Sequence, residues 1–144
     1  MASGVWRFES GRYEGGGMRF LRFRRQLEEA LDLVAPDAVV FEEVRRHLGT
    51  SAAHVYGGLL GILTATCEER GIPYRGVPVG TLKRHATGKG NADKDAMVAA
   101  ARVRWEREPG DDDEADALLV LSWALAELGA GRAQGRGERG PKGG

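Results

Sequence analysis

An acidic run that leads directly into an apolar segment constrains this chain more than any other stretch. Residues 111–114 are all acidic, Asp116 follows, and residues 117–126 are almost wholly apolar. Carboxylates are common at a helix start, because free backbone N–H groups and the positive end of the helix dipole favour them. Capping is therefore the simplest explanation of the run. It does not explain Asp116, which lies one turn inside the predicted helix.

The pair Asp113 and Asp116 indicates a second role for the run. The two residues are three apart, so their side chains share one face of a helix. Carboxylates about 4 Å apart repel each other by roughly 4 kcal/mol at an effective dielectric constant of about 20. A divalent cation bound between them turns this repulsion into ligation. The spacing therefore predicts a divalent-metal site next to the helix cap.

The composition is typical of one globular domain with one hydrophobic core. The chain has 144 residues, of which 42% are hydrophobic and 29% are charged. The formal net charge is zero, so any signal for nucleic acid must be local. Cys67 is the only cysteine, which excludes an internal disulfide and a cysteine-based zinc site and fits a cytoplasmic protein. No apolar run is long enough to span a bilayer, so we expect no membrane partner.

Hydrophobic periodicity predicts an alternation of strands and helices. Strands are predicted at 5–8, 38–41 and 72–79, helices at 18–34 and 50–70, and three further helices after residue 80. This order indicates an α/β fold with a mixed sheet flanked by helices. We expect the domain to span 1–128, followed by a disordered Gly/Arg-rich tail at 129–144.

The predicted helix at 18–34 carries arginines around its apolar stripe. They are Arg19, Arg22, Arg24 and Arg25. Glu28 and Glu29 follow at helical spacing, so we expect a solvated face on which these charges pair.

Glu42 occupies a position where ligands commonly bind. The apolar run at 38–41 reads as a buried strand and ends in Glu42 and Glu43, which alternation places on opposite faces. Open α/β sheets bind ligands beyond the carboxyl ends of their strands. The alternative is that both glutamates only mark the exit of the strand into solvent.

One dense basic patch lies at residues 80–94. Gly88 and Gly90 allow a phosphate to approach the backbone closely, although the Walker A pattern is not matched. Asn91 is the predicted cap of the next helix, and a lysine in its first turn, Lys94, needs an anionic partner. The candidates are Asp93, Asp95, a site carboxylate or a phosphate. Our candidate DNA-binding residues are Lys83, Arg84, Lys89 and Lys94, together with Arg45 and Arg46 after the strand.

These residues together suit metal-assisted hydrolysis of a phosphodiester. Glu42, Asp113 and Asp116 are acids that an α/β fold can bring together, and carboxylates hold the Mg²⁺ ions of such sites. Lysines neutralise the phosphate charge and position the backbone.

The same stretches resemble a known family. Residues 40–44, 82–94 and 113–118 look, in this order, like the motifs of RuvC-type Holliday-junction resolvases, and most like the phage-like branch. The resemblance covers roughly 36–128. It implies an RNase H-like fold, a homodimer, Mg²⁺ or Mn²⁺, and nicking of four-way DNA junctions in recombination and repair. The Gly-rich helix after Glu42 corresponds to the region that such proteins use for dimer contact.

By motif, the resemblance assigns roles to individual residues. Glu42 matches the strand-end catalytic glutamate, and Asp113 and Asp116 match the last acidic pair, so these three residues are the expected metal ligands. Lys83 and Lys94 match basic positions near the scissile phosphate, and Lys94 joins the expected catalytic set.

One departure from the family pattern concerns the N-terminal region. The family opens with a strand that ends in a metal-binding aspartate, and no such aspartate precedes Val5 here. We therefore expect that this sequence is an N-terminally truncated form, with weak or no nuclease activity. Three alternatives stay open: a non-catalytic DNA-binding relative, an RNase H-like nuclease for another branched or RNA-containing substrate, and a structural adaptor.

Overall fold

The structure is a computed structural model that describes residues 2–44, 49–106 and 108–137. Its elements are α1 (Gly17–Val34), β1 (Val39–Glu43), α2 (Thr50–Arg70), β2 (Tyr74–Pro78), α3 (Val79–Thr87), α4 (Lys94–Trp105) and α5 (Asp112–Gly137). They form two compact units, Val5–Pro78 and Val79–Gly144 with Met1–Gly4. We call the first the sheet unit and the second the helical unit. No helix in the described residues has both the length and the apolar character needed to cross a bilayer.

The sheet unit is built on a β–α–β connection. β1 and β2 pair in parallel, with Val39 opposite Tyr74 and Glu42 opposite Val77. Parallel neighbours need a long crossover, which α2 supplies. α1 packs on α2 through a core of Phe23, Leu27 and Leu31, against which Phe8, Val39, Leu59, Ile62, Leu63 and Ile72 are packed.

The predicted first strand is not formed. Residues 5–8 lie in irregular structure, and the sheet in the described residues has two parallel strands rather than the predicted mixed set. Aromatic contacts hold this segment instead, since the Phe8 ring packs edge-on against Phe23 at 5.4 Å and against Trp6 at 6.0 Å. A strand needs a hydrogen-bonding neighbour as well as apolar alternation. Alternation alone therefore predicted a strand for a segment that instead packs on a helix.

The helical unit consists of α3, α4 and α5, which pack on one another. Its fully buried apolar residues include Leu82 of α3, Ala101 of α4 and Leu119 of α5. The indole N–H of Trp105 donates to the carbonyl oxygen of Leu118 at 2.9 Å and joins the end of α4 to α5. α5 continues to Gly137, past the expected domain end at residue 128, and residues 138–144 lie outside the described part of the chain.

Candidate functional site

Two acids of the acidic run are used as caps of α5. The Asp111 carboxylate accepts the Glu114 N–H at 2.9 Å, and the Glu114 carboxylate accepts the Gly110 N–H at 2.8 Å. Glu114 also accepts the hydroxyl of Ser3 at 2.6 Å and is only 8% exposed. This arrangement resembles a capping box, in which side chains satisfy free N–H groups of the first turn. Capping therefore accounts for Asp111 and Glu114, and not for the other acids.

Asp113 and Asp116 lie within the first turns of α5 and share one face of it. Asp113 is exposed and Asp116 is half-buried, whereas Ala115 and Leu119 are fully buried against the unit's core. Residues three apart in a helix are neighbours on its surface. The helix thus presents two carboxylates side by side at its N-terminal end, where its dipole also favours negative charge.

Lys94 connects the basic patch to the acidic run. Its ammonium lies 3.3 Å from the Asp112 carboxylate, and 84% of the lysine side chain is exposed. Asp93, rather than the predicted Asn91, caps α4 by accepting the Ala96 N–H at 2.9 Å. The anionic partner of Lys94 is therefore a carboxylate from the start of α5. An exposed pair of this kind is worth about 0–1 kcal/mol, so an incoming phosphate can compete for the lysine.

The remaining basic candidates lie on α3 and the turn after it. Lys83 is half-buried, whereas Arg84 and Lys89 are exposed. The turn is built by the Thr87 hydroxyl, which donates to the Lys83 carbonyl oxygen at 2.9 Å, and by Gly88 at φ 81°. The guanidinium of Arg84 lies close over the backbone at residue 90.

Gly90 leaves room for that approach. A β-carbon at this position would lie 3.2 Å from Nη1 of Arg84. The glycine pattern of the patch thus lets an arginine, as well as any phosphate, come close to the chain. The other two candidate DNA contacts, Arg45 and Arg46, lie outside the described residues.

A polar cluster that the sequence did not predict joins all three helices of this unit. Arg104 of α4 donates to Nε2 of His85 at 2.8 Å and to the hydroxyl of Ser122 at 2.9 Å. That hydroxyl lies 3.0 Å from the same His85 nitrogen. Burial and the neighbouring Arg104 charge lower the pKa of His85, so the imidazole is neutral and accepts hydrogen bonds at Nε2. No local signal could have found the cluster, because its members are far apart in the sequence.

Glu42 lies near the carboxyl end of β1 in the sheet unit and is half-buried. The Tyr56 hydroxyl of α2 donates to the Glu42 carbonyl oxygen at 3.1 Å and accepts the Val44 N–H at 3.0 Å. A buried backbone needs such partners where the strand ladder ends. Tyr56 therefore fixes the end of the strand that carries Glu42.

The described residues supply a pair of carboxylates, not a larger cluster. Among them, no set of three or more His, Cys, Asp or Glu side chains is placed to hold a metal ion. Asp113 and Asp116 offer two hard oxygen donors, and Mg²⁺ commonly uses one or two carboxylates together with water. The helical unit therefore fits Mg²⁺ as a two-carboxylate site. Participation of Glu42 in that site stays a prediction.

Curated proteins are similar to this chain over most of its length. The chain is 32% identical over 122 residues to the crossover junction endodeoxyribonuclease RuvC of Paenarthrobacter aurescens (strain TC1), which covers 81% of this chain and 64% of that protein. It is 30% identical over 119 residues to the RuvC of Synechococcus sp. (strain WH7803), which covers 81% of this chain and 75% of the relative. The chain thus spans just under two thirds of the first relative.

A solved structure has a similar fold. It is T. thermophilus RuvC in complex with Holliday junction substrate, with a TM-score of 0.69, 24% identity, and coverage of 78% of this chain and 70% of that one. This likeness confirms the predicted α/β, RNase H-like class. No family model matches the chain. Because a relative 30% identical is covered over 75% of its length, the chain belongs to the RuvC family of crossover junction endodeoxyribonucleases.

Proposed function

We propose that this protein is a metal-dependent endonuclease that hydrolyses phosphodiesters at four-way DNA junctions. Membership of the RuvC family supports the reaction class, and the relative from T. thermophilus is a complex with a Holliday junction substrate. The observation that carries the proposal is that the acids at the start of α5 have different surroundings. Asp111 and Glu114 are held by capping bonds, whereas Asp113 and Asp116 stand on one face beside the Lys94–Asp112 pair.

The proposed metal ligands are Asp113, Asp116 and Glu42. Mg²⁺ or Mn²⁺, when bound, supplies charge for the leaving oxygen and lowers the pKa of water. Two of the ligands project from a helix whose start is fixed by the capping bonds of Glu114, so their spacing is preorganised. The third is carried by a strand whose end is held by Tyr56.

The basic side chains have the proposed task of binding the DNA backbone. Lys94 is placed to exchange its Asp112 partner for a phosphate, and it belongs to the proposed catalytic set because of that position. Lys83, Arg84 and Lys89 extend the positive surface along α3 and its turn, with Arg45 and Arg46 as further candidates. Contacts of this type set affinity and register without reading sequence.

The proposed assembly is a homodimer, and the proposed setting is the cytoplasm, where recombination and repair of bacterial or phage DNA take place. A four-way junction has two equivalent strands to cut, which a two-fold dimer matches. The Gly-rich helix α2 is the proposed contact. Within it, β-carbons added at Gly57 and Gly61 would meet nothing within 4 Å, so the helix surface is open there.

A junction-binding protein without cleavage is the second candidate. It is favoured by one observation, namely that no set of three or more candidate metal ligands is assembled among the described residues. Such a protein keeps its lysines and arginines and binds DNA with steep salt dependence. It does not cut when Mg²⁺ is added.

The deciding experiment is Mg²⁺-dependent cleavage of a synthetic four-way junction by the purified chain, with linear duplex and an RNA–DNA hybrid as competitors. We expect cleavage of the junction and a loss of about 10²-fold or more for Asp113→Asn, Asp116→Asn and Glu42→Gln, because each removes charge that holds the metal. Asp95→Asn, an exposed acid of α4, is the matched control and should cut normally.

The alternatives predict different results in the same assay. Junction binding without cleavage at any Mg²⁺ or Mn²⁺ concentration identifies the non-catalytic relative. Preferred cutting of the hybrid identifies a different nuclease of this fold. Equal activity of the wild type and Glu42→Gln removes Glu42 from the site.

A further inference from the structure

The charges of α1 are segregated along its axis. Its first nine residues, 17–25, contain four arginines and no acid, and its last nine, 26–34, contain three acids and no base. The helix has 18 residues and is about 27 Å long, so the two halves are well separated.

Three of the four arginines in this half are not neutralised by a carboxylate within the described part of the chain. Pairing of the arginines with Glu28 and Glu29 was the sequence-based expectation, but no carboxylate of the described residues lies within 4 Å of the guanidinium groups of Arg19, Arg24 or Arg25. Of the four arginines, Arg22 alone has a carboxylate partner among the described residues, Glu14, and it also donates to the carbonyl oxygen of Glu9 at 3.1 Å.

Three of the arginines form a row on the side of the helix away from the core. Arg19, Arg22 and Arg25 are spaced by three residues, which makes them surface neighbours. Phe23 and Leu27 occupy the buried face. Beyond the helix, Arg12 lies over the ring of Tyr13, whose side chain is 94% exposed. We call Arg12, Tyr13, Arg19, Arg22 and Arg25 the α1 basic surface.

The topology of the sheet unit places this surface at the Glu42 end of β1. A short connection, 35–38, joins α1 to β1, so the start of the helix lies near the end of the strand. Two contacts between α1 and α2 indicate the same direction for α1. The Phe20 ring packs against Gly58 near one end, and Arg70 donates to Asp32 at 2.6 Å at the other.

Tyr56, two residues before Gly58, holds the end of the strand that carries Glu42. The arginine half of α1 and the candidate catalytic glutamate are therefore at the same end of this unit.

We propose that the α1 basic surface binds the phosphate backbone of a duplex arm of the DNA substrate, outside the cleavage site. This inference rests on the proposed function and adds a contact surface that the motifs of the family did not indicate. A row of guanidinium groups, two of which (Arg19 and Arg25) have no carboxylate partner in the described residues, matches a phosphate strand in charge and in hydrogen-bond geometry. The exposed Tyr13 beside Arg12 adds an apolar ring that can pack against a sugar of the same backbone.

The test measures junction binding by this chain in EDTA from about 50 to about 200 mM salt. The double variant Arg19→Gln/Arg25→Gln removes two proposed contacts. The negative slope of log K against log salt should therefore become less steep by about 1.8, and the affinity at about 0.1 M salt should decrease by up to about 60-fold. Arg19→Lys/Arg25→Lys keeps the charge and should retain the slope.

Two controls separate this surface from net charge and from folding. Arg102→Gln removes a cation that is already paired with Glu108 at 2.6 Å, and it should change the slope little. The double Gln variant should melt close to wild type, because neither arginine has a carboxylate partner in the described residues and glutamine has nearly the same helix propensity as arginine.

An unchanged slope and affinity in the double Gln variant overturns the inference while leaving the proposed function intact. Failure of the wild-type chain to bind junction or duplex at low salt overturns the proposed function itself. A loss of binding in the Gln variant with normal melting, and its recovery in the Lys variant, supports the α1 basic surface whether or not the chain cuts DNA.

Discussion

At the start of α5, the role of a carboxylate depends on its distance from the free N–H groups. Asp111 precedes the helix and caps it, Glu114 reaches back to the N–H of Gly110, and Asp112 turns to Lys94. Asp113 and Asp116 stand on the face that these bonds do not use. Side chains of nearly the same chemistry thus divide into structural and candidate catalytic groups within six residues.

The His85 cluster should make stability depend on pH. Burial and the Arg104 charge lower the pKa of His85 from its usual value of 6.5, against a smaller opposing effect of Glu127. The folded state then binds fewer protons than the unfolded state, so the free energy of unfolding is fully retained above about pH 6.5 and decreases as the pH falls below it.

Urea unfolding midpoints between about pH 7.5 and about pH 5 measure this effect. We expect His85→Gln to flatten the dependence, and His54→Gln, an exposed histidine on α2, to leave it unchanged. The same dependence on pH in wild type and His85→Gln would show that other groups cause it.

Local sequence at the residue scale predicted some side-chain arrangements and missed others for a physical reason. The shared face of Asp113 and Asp116 on α5 was predictable because helical spacing is a local property, whereas their role as metal ligands stays a prediction. The contact of Arg104 with His85 was not, since it depends on how α4 packs against α3. The cap of α4 was displaced from Asn91 to Asp93 because both residues can cap and only the tertiary packing selects the start.

The helices and the two strands around the β–α–β connection were largely predictable. α1 begins within one residue of its predicted start and ends where predicted, because its apolar stripe and the following proline are strong local signals. Residues 5–8 show the converse, since alternation predicted a strand there, but in the described residues this segment pairs with neither β1 nor β2. A pairing partner is a property of the whole fold, and no window of sequence contains it.

Gly58 should be intolerant of a side chain, in contrast to its neighbour. A β-carbon on Gly58 would lie 2.5 Å from Cε1 of Phe20, so Gly58→Ala forces α1 and α2 apart and should lower stability by about 1–3 kcal/mol. Gly57→Ala meets nothing within 4 Å and should raise stability by up to about 1 kcal/mol through helix propensity. Chemical denaturation of both variants provides the measurement, and equal effects would contradict the close approach.

At the scale of the whole molecule, a net charge of zero conceals strong local fields. The chain has 21 basic and 21 acidic residues, yet it concentrates bases on the first half of α1 and on 83–94, and acids at 111–116. Net charge therefore excludes little about a nucleic-acid partner, because binding depends on the local arrangement of charge.

Divalent metal should stabilise the folded protein even without DNA. A ligand that binds only the folded state raises the free energy of unfolding by about 2.7 kcal/mol at a hundred times its Kd. We therefore expect Mg²⁺ to raise the Tm of the wild type and EDTA to reverse the shift. Asp113→Asn/Asp116→Asn should lose this response while Asp95→Asn keeps it, and an unaltered response in the double variant would place the bound cation elsewhere.

The single cysteine of this protein, Cys67, lies on α2 and is buried. Cys67 has no exposed surface, and burial raises the pKa of its thiol, so neither the geometry nor the thiolate population favours reaction with an alkylating reagent. The thiol can be modified only after the sheet unit opens. The rate of labelling therefore measures the rate or the extent of that opening under native conditions. A chain that reacted at the speed of a free peptide would reveal that α2 is far less securely packed than its contacts indicate.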